Sequence, residues 1–359
     1  MSTVNFSRLS KMGGSGERSG VGQGDKKTVT LKDVSKAAGL SLITVSRALR
    51  QPETVRPDTR EKIQRTIDEL GYIPNLTARS LVSQRSDMIG VVVPILASSL
   101  FADFAQGITG ALDPHGQRML LAVSNWSPEK EEAAVRTFIA RQADAIILTG
   151  FSHTEATRKL LERYPGPVVE AWNLRDGAIG SVVGFDNHAA AAELTRYLID
   201  AGYREIVMVG GAARHNDQAA DRTRGFCDAM RAAGRALRPD SVVEFDNPAT
   251  IESGGPLIQS LLERPNPPDA VLFLAELPAQ GAMLWCLSNG VDVPGQVAIA
   301  GFGDLSLSAL LPVPMTTVRI HGREIGRRAA EVALARIADA NAPVPVDDVG
   351  YHLKIRSST

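Results

Sequence analysis

The sequence predicts a small all-α helix-turn-helix head joined to an α/β body of two lobes. Three observations predict it. Short, capped helices crowd into residues 28–74, and strand-length apolar runs alternate with helical stretches from residue 88 onward. The composition of the 359 residues, 44% hydrophobic with 5% aromatic and 32 glycines, suits helices and parallel strands better than an all-β fold. The expected boundaries are a disordered leader over 1–27, the head over 28–74, a linker over 75–87 and the two-lobed body over 88–359.

Taken in order, residues 1–27 are polar and glycine-rich without hydrophobic periodicity, and such a composition buries too little apolar surface to order a chain. Thr30 with Asp33 three positions on is a helix-start signature, opening a helix over 31–38 that Gly39 stops. Ser41 opens a second helix over 42–49, with Val45 and Leu49 on one face. Pro57 stands at the first position of a third, whose apolar stripe is Ile63, Ile67 and Leu70. Gly71 closes that helix and Pro74 keeps the chain from continuing it. Gly39-Leu40-Ser41 is then the turn of a helix-turn-helix, and the small Ala37, Ala38 and Gly39 let its two helices cross closely. In that geometry the second helix enters the major groove of DNA with its N-terminal residues facing base edges. Residues 75–86, polar and rich in Arg and Ser, form the linker.

In the body, apolar runs at 89–93, 119–123, 145–148, 168–169, 206–209, 270–274 and 297–300 are spaced by stretches long enough for βαβ crossover helices. That pattern predicts parallel sheets. Some 270 residues of it exceed a typical single domain, so two lobes with a cleft between them are expected.

Charge separates the two parts. Twelve Lys or Arg face seven Asp or Glu between residues 26 and 87, whereas the chain from Met88 onward is net acidic. A basic head on an acidic body is what a phosphate-binding module joined to a ligand-binding module shows. No apolar run reaches the ~18 residues of a membrane helix, and the N-terminal stretch lacks the apolar segment and cleavage site of a secretory signal. Two cysteines, Cys227 and Cys286, argue against a disulfide scaffold and fit a reducing, cytoplasmic compartment. The six histidines have no metal-ligand spacing, and no nucleophile elbow, P-loop or dinucleotide fingerprint follows a strand. No enzyme, cofactor or metal is expected.

The words Thr30-Leu31-Lys32-Asp33-Val34, Ser41-Leu42-Ile43-Thr44-Val45-Ser46-Arg47 and Glu69-Leu70-Gly71-Tyr72-Ile73-Pro74-Asn75 resemble the LacI/GalR family of transcriptional regulators. The likeness runs on into Ile89-Gly90-Val91 and through most of the chain. It implies that Leu42, Ile43 and Arg47 face bases, with Arg47 suited to a bidentate pair with guanine and the two apolar residues to thymine methyls. It makes Thr44, Ser46 and Asn75 contacts that set register. Asn75-Leu76-Thr77-Ala78-Arg79-Ser80-Leu81 matches the family's hinge helix, which implies that Ala78 and Leu81 enter the minor groove and that Leu81 wedges between base steps. So short a helix is marginal alone and orders where two copies meet on DNA.

The same resemblance implies a body with the fold of periplasmic sugar-binding proteins, holding its effector between the lobes at the carboxyl ends of strands. Carried over by position, the effector-binding residues are Phe101, Glu170, Trp172, Asp186, Arg222, Glu276 and Phe302. Phe101 and Trp172 serve either as stacking platforms or as cleft wall, Phe302 fits cleft wall, and Asp186 serves either the effector or the cap of the helix beginning near Asn187. Arg222 opens the family's R-x-x-G-F word with Gly225 and Phe226. Where the family has Asn-Asp this chain has Ala275-Glu276, a departure that bears on effector identity. Glu170 with Val168 and Val169, and Asp186 with Asn187, look most like the gluconate-utilisation repressors, which points to a sugar acid such as gluconate or a phosphogluconate. The expected protein is a homodimeric repressor of sugar or sugar-acid metabolism genes that binds a pseudo-palindromic operator in double-stranded DNA and makes no membrane contact. The alternative is the solute-binding protein of a sugar transporter, which would carry a secretory signal and no helix-turn-helix.

Overall fold

The computed structural model describes residues 29–73, 85–211, 215–245 and 250–359, and the chain divides into compact units between Leu76 and Thr77. In the first unit, α1 (Leu31–Ala38) begins with a reciprocal capping box: the Thr30 side chain accepts from the Asp33 N–H, and an Asp33 carboxylate oxygen accepts from the Thr30 N–H at 2.9 Å. Gly39 ends it at φ +64°, a left-handed conformation that glycine adopts without a Cβ penalty. Ser41 then accepts from the Thr44 N–H at 3.1 Å and starts α2 (Leu42–Arg50). α3 (Pro57–Leu70) has its proline in the first turn and Gly71 beyond its end. The head core is Val34, Val45, Ala48, Ile63 and Ile67. Leu70, expected in the stripe of α3, is 36% exposed; it is the last residue of its helix, and Thr66 with Ile67 fills the buried face instead.

The second unit alternates strands and helices: β1 (Met88–Val93), α4 (Ser99–Leu112), β2 (Arg118–Val123), α5 (Pro128–Ala140), β3 (Ala145–Thr149), α6 (Glu155–Glu162), β4 (Val168–Ala171), β5 (Ser181–Gly184), α7 (Asn187–Asp200), β6 (Ile206–Gly211), α8 (Asp217–Ala232), β7 (Val242–Phe245), α9 (Ile251–Leu262), β8 (Ala270–Phe273), α10 (Glu276–Ser288), β9 (Ala298–Gly303), β10 (Thr316–Ile320), α11 (Gly322–Ala338), β11 (Val346–Asp348) and β12 (Tyr351–Lys354). Among the described residues these strands form two six-stranded sheets, ordered β11-β5-β4-β3-β1-β2 and β12-β10-β9-β8-β6-β7. All pairings are parallel except β12, which runs antiparallel to β10.

Each sheet belongs to one lobe. The chain crosses between lobes three times: from β5 into α7, from β10 into α11, and from β11 to β12. The lobes are α/β with parallel sheets, as the alternating pattern predicts. β5, β7, β10, β11 and β12 are additional to the expected runs. They are short, and β5 and β10 open on Ser181 and Thr316-Thr317 rather than on an apolar run. Because parallel strands point the same way, each sheet presents its carboxyl ends, and the loops that follow them, at one edge.

Candidate functional site

In the head, α2 turns Val45 and Ala48 into the core and leaves the start of its outer face in solvent. Leu42 is 46% and Ile43 69% exposed, and Arg47, one turn on, is also exposed. With Leu31, Ser46 and Gln51 they line one open concavity. Two exposed aliphatic side chains beside an arginine, on a unit whose described core cluster is five buried residues, form the kind of patch that marks a contact surface. Thr44 sits differently: its hydroxyl lies 2.8 Å from that of Ser41, inside the cap. Asn75, Ala78 and Leu81 lie outside the described residues.

In the body, a cavity of about 110 Å³ opens between the lobes at the carboxyl ends of both sheets. Five of the seven expected effector residues line it: Phe101, Trp172, Arg222, Glu276 and Phe302. Phe101 and Trp172 pack ring against ring at 4.8 Å, and Phe104 packs on Trp172 from behind, so both side chains are core and wall at once. Trp172 follows β4 at φ +81°, a left-handed conformation that costs a bulky residue of order 1–3 kcal/mol and persists only where surroundings impose it. Its N–H donates to Val183 O at 2.9 Å, and its carbonyl accepts from Asn187 Nδ2 at 2.9 Å.

Arg222, on α8, lies with its guanidinium carbon 4.0 Å from the centroid of Phe302. Its Nε donates to Asn187 Oδ1 and its Nη1 to Leu274 O, each at 2.8 Å. Among the described residues Nη2 has no hydrogen-bond partner. Burial pushes this guanidinium down to about 9, against the pull of Asp217 and Asp221, and it stays charged at neutral pH. Glu276, at the start of α10, is buried, and burial pushes its carboxyl up to about 7, opposed by bonds from the Ser308 and Thr317 hydroxyls. The Thr317 hydroxyl donates to Oε2 at 2.7 Å, and the Ser308 hydroxyl donates to Oε1.

Two expected residues are not at the cavity. Glu170 is buried in β4, where its Oε2 accepts from the Ile179 and Gly180 N–H groups at 2.6 and 3.1 Å. Its Oε1 lies 3.5 Å from His153 Nε2, an ion pair too long for a hydrogen bond. His153 Nδ1 meets Glu131 at 2.6 Å. Burial would lower the imidazole, but the two carboxylates raise it to about 9. Glu170 therefore holds a loop and a charge in place. Asp186 is exposed and caps α7 by accepting from the Ala189 N–H at 2.8 Å.

The cavity also has residues that the sequence did not single out, chiefly Trp126, Asn216 and Gln218. Gln218 lies four residues before Arg222, on the same face of α8, so helical spacing from Arg222 was the signal available. Among the described residues Gln218 Nε2 and Trp172 Nε1 are both buried donors without a partner; Gln218 is 4% and Trp172 1% exposed. Buried polar groups are normally hydrogen-bonded. With Arg222 Nη2 they make a set of donors suited to a ligand rich in acceptors.

Residues 30–75 match the family described as "Bacterial regulatory proteins, lacI family" and residues 86–348 match "Periplasmic binding proteins and sugar binding domain of LacI family". The HTH-type transcriptional regulator GntR of Pseudomonas aeruginosa is 35% identical over 92% of this chain and 95% of its own length, and its Escherichia coli K12 namesake is 34% identical over 91% and 98%. A crystal structure of a LacI-family transcriptional regulator from Silicibacter pomeroyi superposes with a TM-score of 0.85 at 30% identity, covering 92% of this chain and 99% of that one. The match over residues 30–75 sets the solute-binding alternative aside. Among the described residues, no helix is long and apolar enough to cross a membrane.

Proposed function

The chain belongs to the LacI family and is a ligand-responsive, DNA-binding transcriptional regulator rather than an enzyme, and from that premise we propose that it is a cytoplasmic repressor switched by a sugar acid. It binds a pseudo-palindromic operator as a homodimer, one head per half-site, with Leu42, Ile43 and Arg47 at base edges. Ala78 and Leu81 act in the minor groove at the operator centre. The effector is gluconate or a phosphogluconate, with its anionic group on Arg222.

The observation that carries the effector class is the guanidinium of Arg222. Among the described residues it is the cation lining the cavity, and its Nη2 has no hydrogen-bond partner there. A charge-assisted bond from arginine to a carboxylate or phosphate is among the stronger polar contacts a protein makes. The unpartnered donors on Trp172 and Gln218 suit the hydroxyl and carbonyl oxygens of an open-chain or lactone-like sugar.

The test is operator binding titrated with and without gluconate, 6-phosphogluconate and neutral hexoses at one fixed salt concentration, since phosphate contacts make affinity steeply salt-dependent. A response to the acids, paralleled by a thermal shift, supports the reading; a response to neutral sugars alone overturns it. Leu81→Ala should weaken operator binding and leave effector affinity unchanged. Undiminished operator affinity in a gel-shift titration would remove the wedge role.

A further inference from the structure

The lobes are tied together beside the cavity by a chain of buried polar groups whose hydrogen-bond directions are all forced. On the second lobe, Asp217 and Asp221 occupy the first turns of α8. Asp217 Oδ1 reaches across to accept from the Phe151 N–H at 2.9 Å in the loop after β3. That approach requires Gly150, which sits at φ +78° and on which a Cβ would lie 2.3 Å from the same oxygen. Asp221 accepts two bonds from Arg175, at 2.6 and 2.8 Å, in the segment after β4. Burial alone would raise the Asp221 carboxyl, but Arg175 and Asn173 outweigh it and hold it below its ordinary value.

Asn173, also after β4, donates from Nδ2 to Asp217 and Asp221, both at 2.7 Å. Its Oδ1 accepts from Asn187 Nδ2 at 3.0 Å. Asn187, at the first crossover, accepts from Arg222 Nε through Oδ1 at 2.8 Å. Guanidinium groups only donate and carboxylates only accept, so neither amide can be turned round. Flipping Asn187 would set its oxygen against Trp172 O and Asn173 Oδ1; flipping Asn173 would set its oxygen against two carboxylates. The path therefore has one arrangement, running from the cavity through two amides to the clasp between the lobes.

We propose that Asn187 and Asn173 are positioning residues that couple occupancy at Arg222 to the clasp that Asp217 and Asp221 close across the lobes. A ligand that fixes the guanidinium through Nη2 fixes Nε on Asn187, and through it the one amide arrangement compatible with the closed clasp. Withdrawing Nε leaves Asn187 Oδ1 buried without a donor, a cost the network escapes by loosening. The ligand then favours the closed lobes by its differential affinity for them. The proposal rests on the interlobe cavity being the effector site; it does not depend on which effector occupies it.

The reporter is hydrogen exchange at the Phe151 amide, which the clasp protects, measured against Val91 in the core of β1. In the full-length protein without ligand, Arg222→Lys and Asn173→Ser should each speed exchange at Phe151 by about tenfold while Val91 keeps its rate. Gly150→Ala, which blocks the Asp217 approach directly, sets the rate for an open clasp. Should Asn173→Ser fold poorly, Asn187→Ser interrupts the same path one bond earlier. Phe151 exchanging at the wild-type rate in Arg222→Lys and in the amide variant, while Gly150→Ala speeds it, overturns the coupling. A second arm adds D-gluconate: it should slow exchange at Phe151 in the wild type, and in Asn173→Ser it should bind without slowing it. If gluconate fails to bind while the ligand-free variants still speed exchange, the coupling stands and the sugar-acid reading falls. If gluconate binds and the variants leave Phe151 unaffected, the coupling falls and the sugar-acid reading stands.

Discussion

Arg222 and Glu276 face the same cavity from opposite sides of the charge scale, and burial acts on each in its own direction, lowering the guanidinium and raising the carboxyl. With Glu276 raised to about 7, its charge changes near neutrality while that of a sugar acid does not. Removing a proton from Glu276 above that value places a like charge beside the ligand, so gluconate affinity should increase as the pH falls from about 8 to 6. Glu276→Gln should flatten that dependence; calorimetric titration at both pH values decides it. In the head, Arg47→Ala should cost about 1–3 kcal/mol of operator affinity and relax specificity at one base pair, measured by competition against singly substituted operators. Positions carried over from the family resemblance put Arg222, Glu276, Phe101, Trp172 and Phe302 among the effector residues, and these five line the cavity. Glu170 lies away from the cavity, and of the two roles open to Asp186 the structure shows the cap, because an acidic residue at a strand end or helix start serves a ligand or the backbone equally well in one dimension. The partners that decide between them, the N–H groups of Ile179, Gly180 and Ala189, become visible only in the fold.

At the scale of elements, the legible features were those whose signals are local. The capping box of Thr30 and Asp33, the glycine ending α1 and the proline opening α3 lie within a few residues of the turns they specify. β10 was not legible because its Thr316-Thr317 start is polar, and its burial comes from neighbours distant in sequence. The Glu131–His153–Glu170 group joins α5, the loop after β3 and β4 in the same way. Its imidazole is raised to about 9 from an unfolded value near 6.5. The stabilisation is therefore fully present below about pH 6.5 and is lost as the pH rises through about 9. The stability of the body against thermal unfolding should fall over that window by up to about 3 kcal/mol. His153→Gln should remove the dependence, and a wild-type midpoint unchanged between those pH values would contradict it.

For the whole molecule, the division at Leu76 and Thr77 separates a head whose described core cluster is five buried residues from a body whose main core runs through both lobes. A head of that size has little reserve. Ile63→Ala should cost it about 2–5 kcal/mol, abolishing operator binding while the effector-induced thermal shift of the body persists. Loss of both together would show that the units do not fold independently. The cavity has a further consequence in its two tryptophans. Trp126 and Trp172 both line it, whereas Trp285, the third in the chain, packs near Gly255 on α9. An occupant that meets the unpartnered Trp172 indole N–H changes the polarity around that chromophore. The interlobe cavity thus contains its own optical probe, and emission from the unlabelled protein reports occupancy without a dye, a reporter gene or DNA.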